Sequence, residues 1–187
     1  MIDVHCHLNF HSFEKDYDEV IKDAFEAGVT KIINVGTKID SSEKAVELAQ
    51  KYPNLYAIIG VHPHHADKLE NNWIQKLQSL AKKPKVVGIG EIGMDYYSYK
   101  SNNIVDPKLQ KEVFIKQIEL AHKLKLPLQI HNRQAGKDII DILINHKSLI
   151  LNPPGMFHCF AGNIDILKQA LNLGFYIGFD GNITYSG

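Results

Sequence analysis

Apolar, β-branched runs alternate with amphipathic stretches from one end of this chain to the other. The runs are "MIDVHCH", "KIINVGT", "LYAIIGVHP", "KVVGIGEIG", "LPLQIHN", "GMFHCFAG" and "FYIGFDG". They are nearly continuous in hydrophobicity rather than alternating, which predicts strands buried on both faces. The stretches between them carry helical spacing. Residues 14–27 put Val20, Ile21, Ala24 and Phe25 on one face. Residues 43–51 do the same with Ala45, Val46, Leu48 and Ala49, behind Asp40 and Glu43 at cap spacing. A third helix is expected over 69–82. "DPKLQKEVFIKQIELAHKL" supplies Asp106 as N-cap, Pro107 in the first turn, and Phe114, Ile118 and Ala121 in register. Helices over 135–146 and 163–173 complete the series, with Gly174 as a stop. Strand–helix alternation of this kind builds parallel sheets with right-handed crossovers. Two architectures begin this way, a doubly wound sheet and a (β/α)8 barrel.

The polar residues decide between them. His5 and His7, Glu91, His131 and His158 fall at the C-terminal ends of several different strands. A barrel gathers its site from many strand ends onto one face, whereas a doubly wound sheet concentrates it at one switch point behind a glycine-rich loop. The one glycine-rich candidate, "GIGEIG", puts acidic Glu91 where a phosphate cradle needs bare amides. A TIM-like barrel in a single domain over 1–187 is therefore expected.

Residues i and i+2 of a strand point the same way, so His5 and His7 would share the barrel mouth, with Cys6 turned outward. Ten histidines in 187 residues yield roughly half of one such pair by chance, so the pair alone is weak. Glu91 strengthens it, because a lone carboxylate after "VVGIG" is costly to bury without a cation. Convergent nitrogen and oxygen donors on separate elements suit a divalent metal. Glu91 has two oxygens and can bridge, leaving His5 and His7 for one ion and His131 and His158 for another. Up to two divalent cations are expected, zinc, magnesium or manganese, with Glu91 as the catalytic carboxylate.

Charge and length exclude other classes. The formal net charge is +0, so no long-range field draws in nucleic acid, and a DNA partner must be held by a local site. No run is long enough to span a bilayer. Asp3 and the lack of a basic leader argue against a signal peptide. Cys6 and Cys159 lack metal-finger spacing and suit a reducing cytoplasm; both read as small apolar residues behind the ligands.

The stretches "DVHCHLNF", "IIGVHPHHA", "GIGEIGMDYY", "LPLQIHNRQA", "FHCFAG" and "YIGFDGNIT" resemble, in order, those of the TatD-type metal-dependent hydrolases, a branch of the amidohydrolase-like barrels. The resemblance implies a metal pair and hydrolysis of phosphodiester bonds in DNA, as single strands or ends. It implies His5, His7 and Glu91 at one metal, and Glu91, His131 and His158 at the other. His62 and His64 in "GVHPHHA", and Arg133 in "HNRQA", are candidates for phosphate oxygens, with His65 at the rim. Asp95 is a candidate to orient a ligand imidazole. Tyr96, with Tyr97 and Phe160, is a candidate to stack on unpaired bases. A competing function on the same barrel is hydrolysis of a small cyclic amide. Such enzymes often bridge their metals with a modified lysine after the fourth strand, where this chain has Glu91 and keeps Lys85 at the far end.

Barrels of this class run to about 250 residues. This sequence ends at "GNITYSG", before the helix, eighth strand and metal-binding aspartate of the family pattern, and Asp180 matches a different position. The expectation is a barrel lacking its last helix–strand–helix portion. Its His5/His7 site would bind weakly, its turnover would be low or absent, and its open edges would favour self-association.

Overall fold

The computed structural model describes residues 1–100 and 103–184. Seven strands form one sheet: β1 (Ile2–Cys6), β2 (Lys31–Val35), β3 (Leu55–Ile59), β4 (Val86–Asp95), β5 (Leu128–Arg133), β6 (Gly155–Phe157) and β7 (Tyr176–Ile177). Their spatial order is their sequence order, and every neighbouring pair is parallel. No order reversal occurs, so the doubly wound alternative is excluded and the sheet is that of a barrel wall. It curls, because Val4 of β1 and Ile177 of β7 line one apolar cavity of about 550 Å³ together with Ile33, Ile58 and Leu128. Gln129 reaches across the interior from β5 and donates to the Val4 carbonyl at 2.7 Å.

Among the described residues six α-helices cover the outside: α1 (Tyr17–Glu26), α2 (Ile39–Lys51), α3 (Trp73–Leu80), α4 (Pro107–Leu124), α5 (Gly136–Asn145) and α6 (Ile164–Asn172). The apolar stripes read from spacing are the buried faces, with Ala45, Leu48, Phe114 and Ile118 fully enclosed. Each large aliphatic or aromatic group so buried contributes about 1.5–3 kcal/mol. Asp106 caps α4 by accepting from the Lys108 amide, and Asn163 caps α6 by accepting from Asp165 and Ile166. Gly174 ends the α6 segment at φ +88°. No helix among the described residues is long and apolar enough to cross a membrane.

Four boundaries differ from expectation. Helix α2 starts at Ile39 rather than 43, because Ser41 Oγ accepts from the Thr37 and Lys38 amides and closes the first turn; buried serines carry no hydrophobic signal. Strand β6 stops at Phe157, so His158 lies just past it, and β7 is only Tyr176–Ile177. Strand β4 instead runs on past Glu91 to Asp95.

That last difference positions the site. Between β4 and β5 the register passes from Ile89↔Leu128 to Ile92↔Ile130, three residues against two. The same slip occurs between β1 and β2, from Asp3↔Ile32 to Cys6↔Asn34. Such bulges re-aim a side chain without ending the strand. One falls at Gly90–Glu91 and the other at Val4–His5, so both place donors on the inner face. Just beyond, β4 and β5 approach so closely that a Cβ at Gly93 would lie 2.0 Å from the His131 carbonyl oxygen, and its φ of +145° also calls for glycine.

Candidate metal centre

Glu91 is the hub. It is 4% exposed and surrounded by five imidazoles from four strand ends. Its Oε2 faces the Nε2 atoms of His5 and His7 at 3.8 and 3.5 Å. Its Oε1 faces His131 Nδ1 and His158 Nε2, each at 2.8 Å, and His62 Nε2 at 3.6 Å. The two oxygens thus address two different histidine pairs. Burial alone would raise this carboxyl, but His158, His131 and His7 hold it well below the usual carboxylate range.

Hydrogen bonding fixes which nitrogen of each ring is free. The Nδ1 of His7 lies 2.9 Å from the Val35 carbonyl, which can only accept, so Nδ1 carries the proton. The Nδ1 of His5 donates to Gln129 Oε1 at 2.9 Å, since the Gln129 amide nitrogen is committed to the Val4 carbonyl. Both Nε2 atoms are therefore bare lone pairs, only 3.1 Å apart. Burial and the neighbouring His158 push His5 down to about 3, so its proton cannot relieve the clash near neutral pH. Two lone pairs at that distance repel unless a proton or a metal ion lies between them. The ring nitrogens of His158 are also buried without an aligned hydrogen-bond partner, despite the closeness of Glu91. Bare imidazole nitrogens converging on a carboxylate are the donor set of a divalent metal, and these residues fit one. His5, Glu91 and His158 lie close enough to hold a single ion.

Asp95 closes the other side. Its carboxylate is buried at the end of β4, accepts from His131 Nε2 at 3.1 Å and lies 3.0 Å from His64 Nε2. It also accepts from the Tyr97 amide at 2.9 Å and the Tyr99 hydroxyl at 3.1 Å. Holding the proton on His131 Nε2 leaves Nδ1 facing Glu91, the arrangement a metal-ligating histidine needs. Desolvation opposes charge on His131, yet Asp95 and Glu91 outweigh it and lift the ring to about 9, so without a metal Nδ1 also carries a proton toward Glu91, and a cation would take that proton's place. His62, Asp95 and His131 form a second cluster of ligand-type atoms. Here the protons point the wrong way for a metal. The Nδ1 of His62 accepts from the His64 amide, so its Nε2 is an N–H, as is that of His131.

The remaining candidates divide. His64 is half-buried beside Asp95, and His65 lines a groove with Lys38 and Lys68. Arg133 lies at the mouth, 4.3 Å from the Tyr97 ring centroid. Phe160 packs toward Phe157 and is half-buried. Tyr96 turns away from the mouth. Its hydroxyl donates to Asp138 of α5 at 2.5 Å, and it lines an outer groove with Lys108 and Lys111. Tyr97 and Tyr99 instead lie on the side of Asp95 and Arg133. Cys6 faces the Ile33 carbonyl, and burial pushes its thiol up to about 12. Asp180 lies 4.0 Å from His158 Nδ1. Sequence reasoning missed Gln129, Tyr99 and Phe10, whose ring stacks on His7 at 4.3 Å. Only Gln129 left a trace, as an amide in a strand otherwise apolar before His131.

Comparison with known proteins gives the family. The family model described as TatD related DNase matches residues 2–187. The chain is 36% identical over 186 residues to a metal-dependent hydrolase of Bacillus subtilis, YabD, covering 99% of this chain and 70% of that protein. It is 40% identical over 182 residues to the 3'-5' ssDNA/RNA exonuclease TatD of Yersinia pseudotuberculosis, covering 97% and 68%. The crystal structure of the TatD homologue YjjV from Escherichia coli superposes with a TM-score of 0.88 at 32% identity, over 99% of this chain and 70% of that one. With the barrel wall, the Glu91-centred histidines and a family match over nearly all its length, the chain belongs to the TatD-related DNases, a family of metal-dependent hydrolases.

Proposed function

We propose that the Glu91 centre hydrolyses phosphodiester bonds of nucleic acid, taking single-stranded DNA or DNA ends as substrate. The observation that carries this is the pair of opposed lone-pair sets on the two oxygens of one buried carboxylate. His5, His7 and Glu91 would hold one divalent cation, and Glu91, His131 and His158 a second. Bound there, such cations supply Lewis acidity toward a phosphoryl oxygen and make water a stronger nucleophile near neutral pH. The nitrogen-rich set favours zinc, while magnesium and manganese draw more on carboxylate and water oxygens. The chain's own contribution is orientation. His62 aims an N–H along the Glu91 side of the site, placed to donate to a phosphate oxygen. Relatives bearing an exonuclease name support the substrate class.

Lys85 speaks against the cyclic-amide alternative. It stands at the opposite end of β4, where its ammonium donates to the carbonyls of Ala49, Tyr52 and Pro53. The two free thiols, Cys6 and Cys159, are compatible with a cytoplasmic location. Strands β1 and β7 each pair on one side only among the described residues, and exposed Ile2 and Tyr176 lie on them, which supports self-association through these edges. Sedimentation over a range of concentrations tests that part.

The central test is hydrolysis of a single-stranded oligonucleotide by chelator-treated protein resupplied with zinc, magnesium or manganese. Activity should return with metal and be lost in Glu91→Gln. Undiminished cleavage by the chelated protein, or by the variant, overturns the reading.

A further inference from the structure

Of the 21 Lys and Arg residues in this chain, one is an arginine, Arg133. Everywhere else lysine suffices, so this position uses something lysine lacks: a planar fork of five donors that can stack on aromatic rings. The surroundings match that need. The guanidinium carbon lies 4.3 Å from the Tyr97 ring centroid and 5.1 Å from that of Tyr99. The two rings meet edge to face at 4.7 Å, forming a cage. One guanidinium nitrogen donates to the Tyr99 hydroxyl at 2.9 Å, and that hydroxyl in turn donates to Asp95. The side chain is exposed, and among the described residues no carboxylate pairs with it. A pre-aimed cation with most of its donors unused, at the rim of a hydrolytic site, is built to take an anion.

Its distance from the centre says which anion. Tyr99 and Asp95 stand between Arg133 and the ligand ring of His131. The carboxylates of Glu91 and Asp95 make their ion-pair contacts, among the described residues, with histidines alone. Arg133 is thus set one layer outside the reacting position. Resting on the nuclease reading, we propose that Arg133, caged by Tyr97 and Tyr99, forks the phosphate next to the one being cleaved. The site then selects strands with at least two phosphodiester linkages over a lone phosphodiester. The exposed ring of Tyr97 offers the adjoining base a stacking face.

The test compares an oligothymidylate with the dinucleotide dTpdT, which has a single phosphodiester. In Arg133→Lys the charge stays and the fork is lost; in Arg133→Met both go. On the oligonucleotide kcat/KM should fall by about 10-fold and about 100-fold respectively, chiefly through KM. Those losses should exceed the losses on dTpdT by at least about tenfold. Tyr99→Phe, which frees the guanidinium from its tether, should show a smaller loss of the same pattern. Binding supplies a second readout. With a phosphorothioate oligothymidylate, the slope of log K against log salt should shrink by about 0.7 in Arg133→Met, the share of one single-strand phosphate contact. Equal losses on both substrates, or an unchanged salt slope, overturn the proposal. If wild-type protein cleaves neither substrate with any metal, the nuclease reading falls, and the salt slope still decides the role of Arg133. No binding of the phosphorothioate strand by wild-type protein overturns both.

Discussion

Gln129→Leu separates ligand orientation from simple packing. Gln129 is 1% exposed and makes two bonds across the barrel, accepting from His5 Nδ1 at 2.9 Å and donating to the Val4 carbonyl at 2.7 Å. Leucine nearly fills the same volume, so little cavity is left. What is lost is polar: a ring N–H and a carbonyl, both inside the barrel, are stranded. At about 1–3 kcal/mol for each unsatisfied group, with partial relaxation, the variant should lose about 2–4 kcal/mol of stability. The metal consequence is separate. Without Gln129 nothing holds the His5 proton on Nδ1, and its lone pair is no longer committed to the Glu91 side. Loss of such a supporting partner typically costs 10- to 100-fold in affinity, about 1.4–2.7 kcal/mol.

Stability is read by denaturant unfolding of chelator-treated protein, and affinity by competition with a chromophoric chelator. Lys85→Met is the control. It removes three bonds to carbonyls at the far end of β4 and touches no ligand, so it should destabilise without weakening metal binding. Equal weakening in both variants, or none in Gln129→Leu, would refute the orienting role.

Two further outcomes follow from the same geometry. In the chelated protein, His131 is lifted from 6.5 to about 9; its stabilisation, about 3 kcal/mol, is complete below pH 6.5 and is lost as pH rises through 9. Unfolding free energy measured between pH 6 and 10 should fall accordingly, with a shallower fall in Asp95→Asn, and a profile equally steep in that variant removes Asp95 from the account. Tyr96→Phe should leave the KM for oligonucleotides unchanged and cost about 1 kcal/mol of stability, because its hydroxyl serves Asp138 on the outer surface; a several-fold rise in KM would put Tyr96 back at the mouth.

The proposed ligands were legible because they lie in or just past strands whose period of two is robust. His5 and His7 share a face by spacing alone, and Glu91 stands out as the first charge after an apolar run. The helices were legible wherever a cap lay beside an apolar stripe, as at Asp106. What failed to show was anything set by register or by a turn. The bulge at Gly90–Glu91 is a relation between two strands, invisible within either. Likewise "MDYYSY" holds three tyrosines, and only the end of β4 at Asp95 decides that Tyr96 leaves the mouth while Tyr97 and Tyr99 flank Arg133.

Protonation was the deepest of these hidden properties. By residue type alone, His5, His7, His62, His64, His131 and His158 are equal candidates for a metal. Their surroundings make them unequal. The Val35 carbonyl, Gln129 and Asp95 take one N–H of His7, His5 and His131, and so leave the other ring nitrogen to face Glu91. The His64 amide occupies the lone pair of His62 and turns an N–H the same way. In the proposed centre one set would hold metal and the other would donate to substrate, through partners as far as 124 residues away in sequence. A histidine-rich motif therefore marks where a centre of this kind lies, while the neighbours of each ring decide what that ring does there.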